Sequence, residues 1–257
     1  MSLFYRESGT GAPLLILHGV FGSSDNWVTP AKMMEDEFHL YLIDQRNHGR
    51  SFHSDDFSYD IMADDLKDFI AEHSIKDPFI IGHSMGGKVV MRFAQKYPEL
   101  YKKVIIVDIA PRYYPVHHDK ILEGLNSINL ENITSRTEAD TQLAKYVPEV
   151  GIRQFLLKNL FRNDDNHFEW RINLKAISEK IDRIGEALPE EIQVEAPVLF
   201  INGAMSGYIK PRDEEMINRI FTRAKIQTIE GAGHWVHAEK PEEFVHVVKQ
   251  FLKESSE

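Results

Sequence analysis

An alternation narrows the possible folds more than any other feature. Short apolar, β-branched runs recur at 14–17, 40–43, 79–81, 104–107, 198–201 and 226–229, with segments of helical period between them. Continuous runs of this length are what strands look like when crossover helices bury both of their faces. Met62, Leu66, Phe69 and Ile70 share one helical face, as do Val89, Val90, Phe93, Ala94 and Tyr97 just before Pro98. The closing segment, 241–252, opens on proline and turns Phe244, Val245, Val248 and Leu252 inward. The pattern predicts an α/β fold with a mainly parallel sheet.

The alternation breaks once. Residues 112–188 contain no strand run and read as several helices, among them 152–161 and 170–184; a structureless loop of this length is improbable. Because strand-like chain resumes at Val198, the expected organisation is a core of residues 1–111 and 189–257 interrupted by a helical cap, 112–188. Charge divides unevenly between them. The chain has 30 basic and 40 acidic side chains, net −10. Residues 112–188 hold 11 and 12 of these, which leaves −9 in the core. Such a balance argues against wrapping nucleic acid, where phosphates demand clustered Lys and Arg. The absence of cysteine rules out disulfides, thiolate metal sites and a cysteine nucleophile. No apolar run approaches the roughly 20 residues of a membrane span, and the start lacks the pattern of a signal peptide, so the expected address is the cytoplasm.

Chemistry concentrates where strand candidates end. Gly82-His83-Ser84-Met85-Gly86 follows one strand and precedes a helix. A serine presented on so sharp a turn needs neighbours without Cβ atoms, and glycines flank it on both sides. Its hydroxyl needs a base, and the best placed of 12 histidines is His234, in the Gly-rich loop Gly231-Ala232-Gly233-His234-Trp235 after the last strand. His83 should point away from the serine and pack. His237, with no third ligand nearby, does not make a metal site. A carboxylate must hold the imidazole's tautomer, and Asp108, ending the 104–107 run, is the preferred candidate, with Asp213 as the alternative. Asp44 reads as the cap of a turn. For an oxyanion, the expected donors are the amides of Met85 and Val20, with Phe21 as the alternative to Val20 in the turn His18-Gly19-Val20-Phe21-Gly22.

In order and over the whole chain, the His-Gly turn at His18, the Asp-x-Arg-x-His-Gly-x-Ser segment at Asp44, the serine turn at Ser84 and the Gly-His loop at His234 resemble the α/β-hydrolase superfamily. More narrowly, Gly82-His-Ser-Met-Gly-Gly-Lys88, Val107-Asp-Ile-Ala-Pro111, Gln154-Phe-Leu-Leu-Lys158 and the stretch from Gly231 to Pro241 resemble the bacterial YbfF-type esterases. That resemblance implies a serine esterase or thioesterase with a helical cap over its site, and places the acid at Asp108. One departure stands out. Many superfamily members carry the acid in a Gly-x-x-Asp turn after the penultimate strand, where this chain has Gly203-Ala204-Met205-Ser206.

Serine at position 84 disfavours dehalogenation and epoxide hydrolysis, which in this superfamily proceed through an aspartyl ester. The expected reaction is therefore acyl transfer from a small-molecule ester or thioester to water, without cofactor or metal. Candidate walls for the acyl group are Phe21 and Trp235 and, from the inserted stretch, Tyr113, Tyr114, Phe155, Leu156, Leu160, Phe161, Phe168 and Trp170. Perhydrolysis or carbon–carbon bond hydrolysis on the same residues, and a ligand-binding sensor without turnover, are the alternatives.

Overall fold

The computed structural model describes residues 2–115 and 118–254. Strands β1 (Tyr5–Ser8), β2 (Ala12–Leu17), β3 (Phe38–Ile43), β4 (Phe79–His83) and β5 (Lys103–Val107) precede the long helical stretch. Two short strands, β6 (Leu160–Arg162) and β7 (Phe168–Trp170), lie within it, and β8 (Val198–Gly203) and β9 (Ala224–Ile229) follow it. All but β6 and β7 form one sheet in the order β1-β3-β2-β4-β5-β8-β9. Its neighbours are parallel except for β1 against β3. Strand β1, Tyr-Arg-Glu-Ser, is half-buried with Glu7 exposed and carries no apolar run, so nothing in its sequence marks it as a strand.

The helices are α1 (Val28–Lys32), α2 (Tyr59–Glu72), α3 (Met85–Lys96), α4 (Asp119–Ser127), α5 (Arg136–Leu143), α6 (Val150–Leu157), α7 (Leu174–Gly185), α8 (Glu214–Ile220), α9 (Val236–Glu239) and α10 (Pro241–Lys253). Alternate strand residues feed two cores. Leu15, Leu17, Ile80, Val104 and Ile106 pack with Met62, Leu66, Val89 and Phe93 of α2 and α3. Leu14, Ile16, Ile81, Ile105, Val107 and Ile201 pack with Trp27 and with Phe244 and Val248 of α10. Among the described residues, no helix is long and apolar enough to cross a membrane.

Between β5 and β8 the expectation of helices alone is corrected. Leu160 pairs with Trp170 and Arg162 with Phe168 in an antiparallel hairpin. Its turn is Asn163-Asp164-Asp165-Asn166, with Asn166 at φ 63°. That composition is a turn signal, and the hairpin built around it takes up the end of the first expected helix and the start of the second. Helix α6 accordingly stops at Leu157, and α7 starts only after Asn173, whose side chain accepts the Ala176 N–H.

Candidate active site

The order of the sheet fixes where a site can form. From β2 the chain moves outward to β3 and then returns past β2 to β4, so the sheet's winding reverses between β2 and β4. Loops leaving the carboxyl ends of these two strands diverge and open a crevice. Ser84 follows β4, Asp108 follows β5, the turn at residues 18–22 follows β2, and the loop carrying His234 follows β9.

Ser84 sits at φ 52°, ψ −118°, outside the regions open to ordinary L-residues, at a cost of about 1–3 kcal/mol. Its surroundings enforce this. The Ser84 N–H donates to Val107 O at 3.0 Å, extending the β4–β5 ladder by one residue, and its carbonyl accepts from Lys88 N–H at 3.1 Å as α3 begins. A Cβ on Gly82 would lie 2.2 Å from Gly86 O, and one on Gly86 2.5 Å from His18 O, so the turn closes only with glycine at both positions.

Asp108 is also left-handed, at φ 53°, and fully buried. Its N–H donates to Ile201 O, while Oδ1 accepts from Gly203 N–H at 3.1 Å. Oδ2 accepts from both Ser206 Oγ and His234 Nδ1, the latter at 2.7 Å. With its Nδ1–H turned to the carboxylate, His234 presents Nε2 to Ser84 Oγ at 3.1 Å. Tyr208 stacks on the imidazole at 4.0 Å between centroids. Asp213, the alternative acid, is engaged elsewhere, pairing with Arg112 while His234 Nδ1 is bonded to Asp108. Ser206, which the sequence marks only as a departure from the Gly-x-x-Asp pattern, is a member of the site: its hydroxyl donates to the aspartate that follows the neighbouring strand.

His83 packs beneath the site as expected, its Nε2–H donating to His234 O at 2.9 Å. Burial, then the neighbouring His234 and His237, hold its pKa well below the ordinary 6.5. Burial likewise lowers His18 to about 4, and His48 and His237 to about 3. His237 stacks on Trp27 at 4.0 Å, and no group of three or more metal-ligating side chains occurs among the described residues. Asp44 caps its turn, accepting from Ser24 N–H and Arg50 N–H.

The turn after β2 separates the two candidate oxyanion donors. Phe21 N–H is occupied, donating to His48 Nε2 at 3.2 Å. Val20 and Met85 line the cavity beside Ser84.

That cavity, of about 400 Å³, is walled by Tyr59, Ile109, Tyr114, Ile184, Gly185 and Tyr208, and its lining among the described residues includes Arg112, Lys210 and Arg212 but no carboxylate. The aromatic walls expected from sequence need correction, because Phe21, Tyr113, Phe155, Phe161 and Trp235 do not line it. Phe21 is buried in the core. Tyr113 is 59% exposed. Phe155 and Trp235 pack on each other at 5.7 Å. Phe161, placed in β6 by the hairpin, carries the Arg171 guanidinium on its ring. Tyr114, also a candidate wall, does line the cavity, together with Tyr59 and Tyr208.

Comparison with known proteins agrees with this architecture. Residues 12–129 match the family model described as the alpha/beta hydrolase fold. The chain is 33% identical to esterase YbfF of Escherichia coli, over 97% of this chain and 96% of that protein. It is 36% identical to the sn-1-specific diacylglycerol lipase ABHD11 of Mus musculus, over 93% of this chain and 80% of the relative. A solved structure described as a marine microorganism esterase superposes with a TM-score of 0.95 at 44% identity, covering 98% of this chain and 99% of that one. The chain belongs to the α/β-hydrolase family.

Proposed function

We propose that this protein is a serine carboxylesterase that hydrolyses acyl esters, acyl-CoA thioesters among them, through an acyl-enzyme on Ser84. The observation that carries the reading is the continuous relay Ser84 Oγ, His234, Asp108, with contacts of 3.1 and 2.7 Å. The names of the relatives, an esterase in Escherichia coli and a diacylglycerol lipase in mouse, support ester chemistry.

In this mechanism His234 Nε2 takes the Ser84 hydroxyl proton as Oγ attacks the acyl carbonyl. Asp108 offsets the charge that forms on the imidazole. The amides of Val20 and Met85 donate to the oxyanion, the second from the first turn of α3, where the helix dipole also favours negative charge. His234 then protonates the leaving group and activates the water that releases the acid. Residues 112–188 act as the cap over the acyl pocket. Thioesters of coenzyme A enter the reading because Lys210 and Arg212 bring basic side chains to the cavity lining, beside an Arg112 whose charge is paired with Asp213, a setting that favours an anionic leaving group in an otherwise acidic protein.

A series of p-nitrophenyl esters and acyl-CoA thioesters of increasing chain length tests the proposal. Ser84→Ala should lower kcat by about 10⁴-fold or more with unchanged thermal unfolding. Full activity in that variant would refute the mechanism.

A further inference from the structure

The stretch between β5 and β8 leaves and rejoins the sheet through a narrow neck. There the two connections run side by side: Tyr114 N–H donates to Gly185 O at 2.8 Å, and Leu188 N–H donates to Pro111 O at 2.8 Å. Under this neck lies Lys88, four residues after Ser84 and therefore one helical turn along the same face of α3. It is fully buried. Its Nζ donates to Arg112 O at 2.9 Å on the outgoing connection, and to Gly185 O at 3.4 Å and Glu186 O on the returning one. The rings of Tyr59 and Tyr114 face the same ammonium at 5.7 and 5.0 Å, and Tyr59 Oη donates to Ile184 O at 2.7 Å.

Lysine is a costly choice for this position. Burial, and after it the charge of Arg112, push the ammonium down to about 7, with Glu186 opposing the shift. An unbranched apolar side chain of the same length would fill the space without that desolvation. What it would lack is three donors diverging from one atom, the number needed to reach carbonyls on both connections. Nearly everything those donors and the ammonium's charge touch is cavity wall, since Tyr59, Arg112, Tyr114 and Gly185 all line the space beside Ser84.

We infer that Lys88 is a positioning residue for the acyl pocket, pinning both connections of the inserted stretch to the helix that carries the nucleophile and so fixing the distance from Ser84 to the opposite wall. In this role Lys88 rests on the ester-hydrolase reading for its kinetic readout, whereas hydrogen exchange reports on the neck whatever the substrate.

The test uses the whole chain with Lys88→Met. Because Lys88 touches walls and not reacting atoms, KM for the shortest p-nitrophenyl esters should rise about tenfold while kcat stays within about threefold, and the preference among chain lengths should flatten. Amide exchange should speed up at residues 110–114 and 184–188 and stay unchanged in β4 and α3. The absence of native cysteine allows a rescue: Lys88→Cys, aminoethylated while unfolded and then refolded, should restore the chain-length profile, and ethylation should not. Wild-type KM values together with wild-type exchange at the neck in Lys88→Met would overturn the inference. So would faster exchange throughout the core, or a chain that no longer folds, because either would make Lys88 a general support. Failure of the unmodified protein to cleave any ester would instead count against the ester-hydrolase reading, and the exchange comparison would still decide the role of Lys88.

Discussion

The floor and the roof of the cavity are held by different means. Under the substrate space, Ser84 and Asp108 sit one residue beyond adjacent parallel strands, and each is fixed by a backbone bond to the next strand, Ser84 to Val107 O and Asp108 to Ile201 O. Above it, the stretch between β5 and β8 has, among the described residues, no ladder to the sheet: one backbone bond, Asn173 N–H to Asn47 O at 2.9 Å, joins it to the core between its ends, and most of the grip comes from side chains that seize carbonyls. Lys88 and Tyr59 hold one end, and Asn159 Nδ2 reaches Phe21 O at 2.7 Å at the other. Backbone ladders tolerate almost no displacement, whereas a roof hung on side chains can shift by repacking. Changes in the floor should therefore act on chemistry or on folding as a whole, and changes in the roof should act on which substrates fit.

The largest effect that would test this contrast is Asp108→Asn. An amide at that position turns the imidazole to the wrong tautomer while leaving its shape, so kcat should fall on the order of 10⁴-fold, as in the serine-protease example. Activity near wild type, measured on the best ester of the series, would shift the orienting role away from Asp108 and dissolve the contrast at its centre.

Acid comes next. Below the ordinary pKa of 6.5 an unfolded chain binds protons at His18, His48 and His237, while the folded chain refuses them until about pH 4 for His18 and about 3 for the other two. The unfolded state then binds more protons, so stability is complete above about 6.5 and falls as pH drops. Each group removes about 1.4 kcal/mol per pH unit. All three flank the floor. Urea titrations at stepped pH should therefore show the midpoint falling steeply below pH 6.5 and level above it. A flat profile between 6.5 and 4.5 would mean that these histidines charge freely in the folded protein.

The smallest expected effect belongs to the roof's outer surface. Phe161→Ala removes a half-buried ring that meets Arg171 outside the cavity, and should change unfolding free energy by no more than about 1 kcal/mol while leaving kcat/KM for every ester unaltered. A selective loss of long-chain esters would restore Phe161 to the acyl path.

The same division separates what was legible in the sequence from what was not. The elbow at Ser84 is written in adjacent residues, since glycines at 82 and 86 have one mechanical reason to flank a serine there, and apolar runs placed the strands that aim it. Strand β1 escaped because a half-buried edge strand has no need of an apolar run. The roof is less legible because its partners are remote. Nothing near Phe155 announces that its ring meets Trp235, and the helical spacing that made Phe161 look inward ends at a turn of four polar residues. Ser206 was noticed only as a missing aspartate. Its use becomes visible once β5 and β8 lie side by side and its hydroxyl meets Asp108.

Ser84 and Asp108 hold backbone angles of φ 52° and 53° that glycine would adopt freely. A screen for thermal endurance alone would reward their replacement, since relaxing each could return up to a few kcal/mol. Heat-selected descendants of this chain would drift toward glycine or asparagine at these positions and arrive at a sturdier scaffold with nothing left to catalyse. Any programme that hardens the enzyme should therefore couple survival to turnover in every round and leave these two codons outside the library.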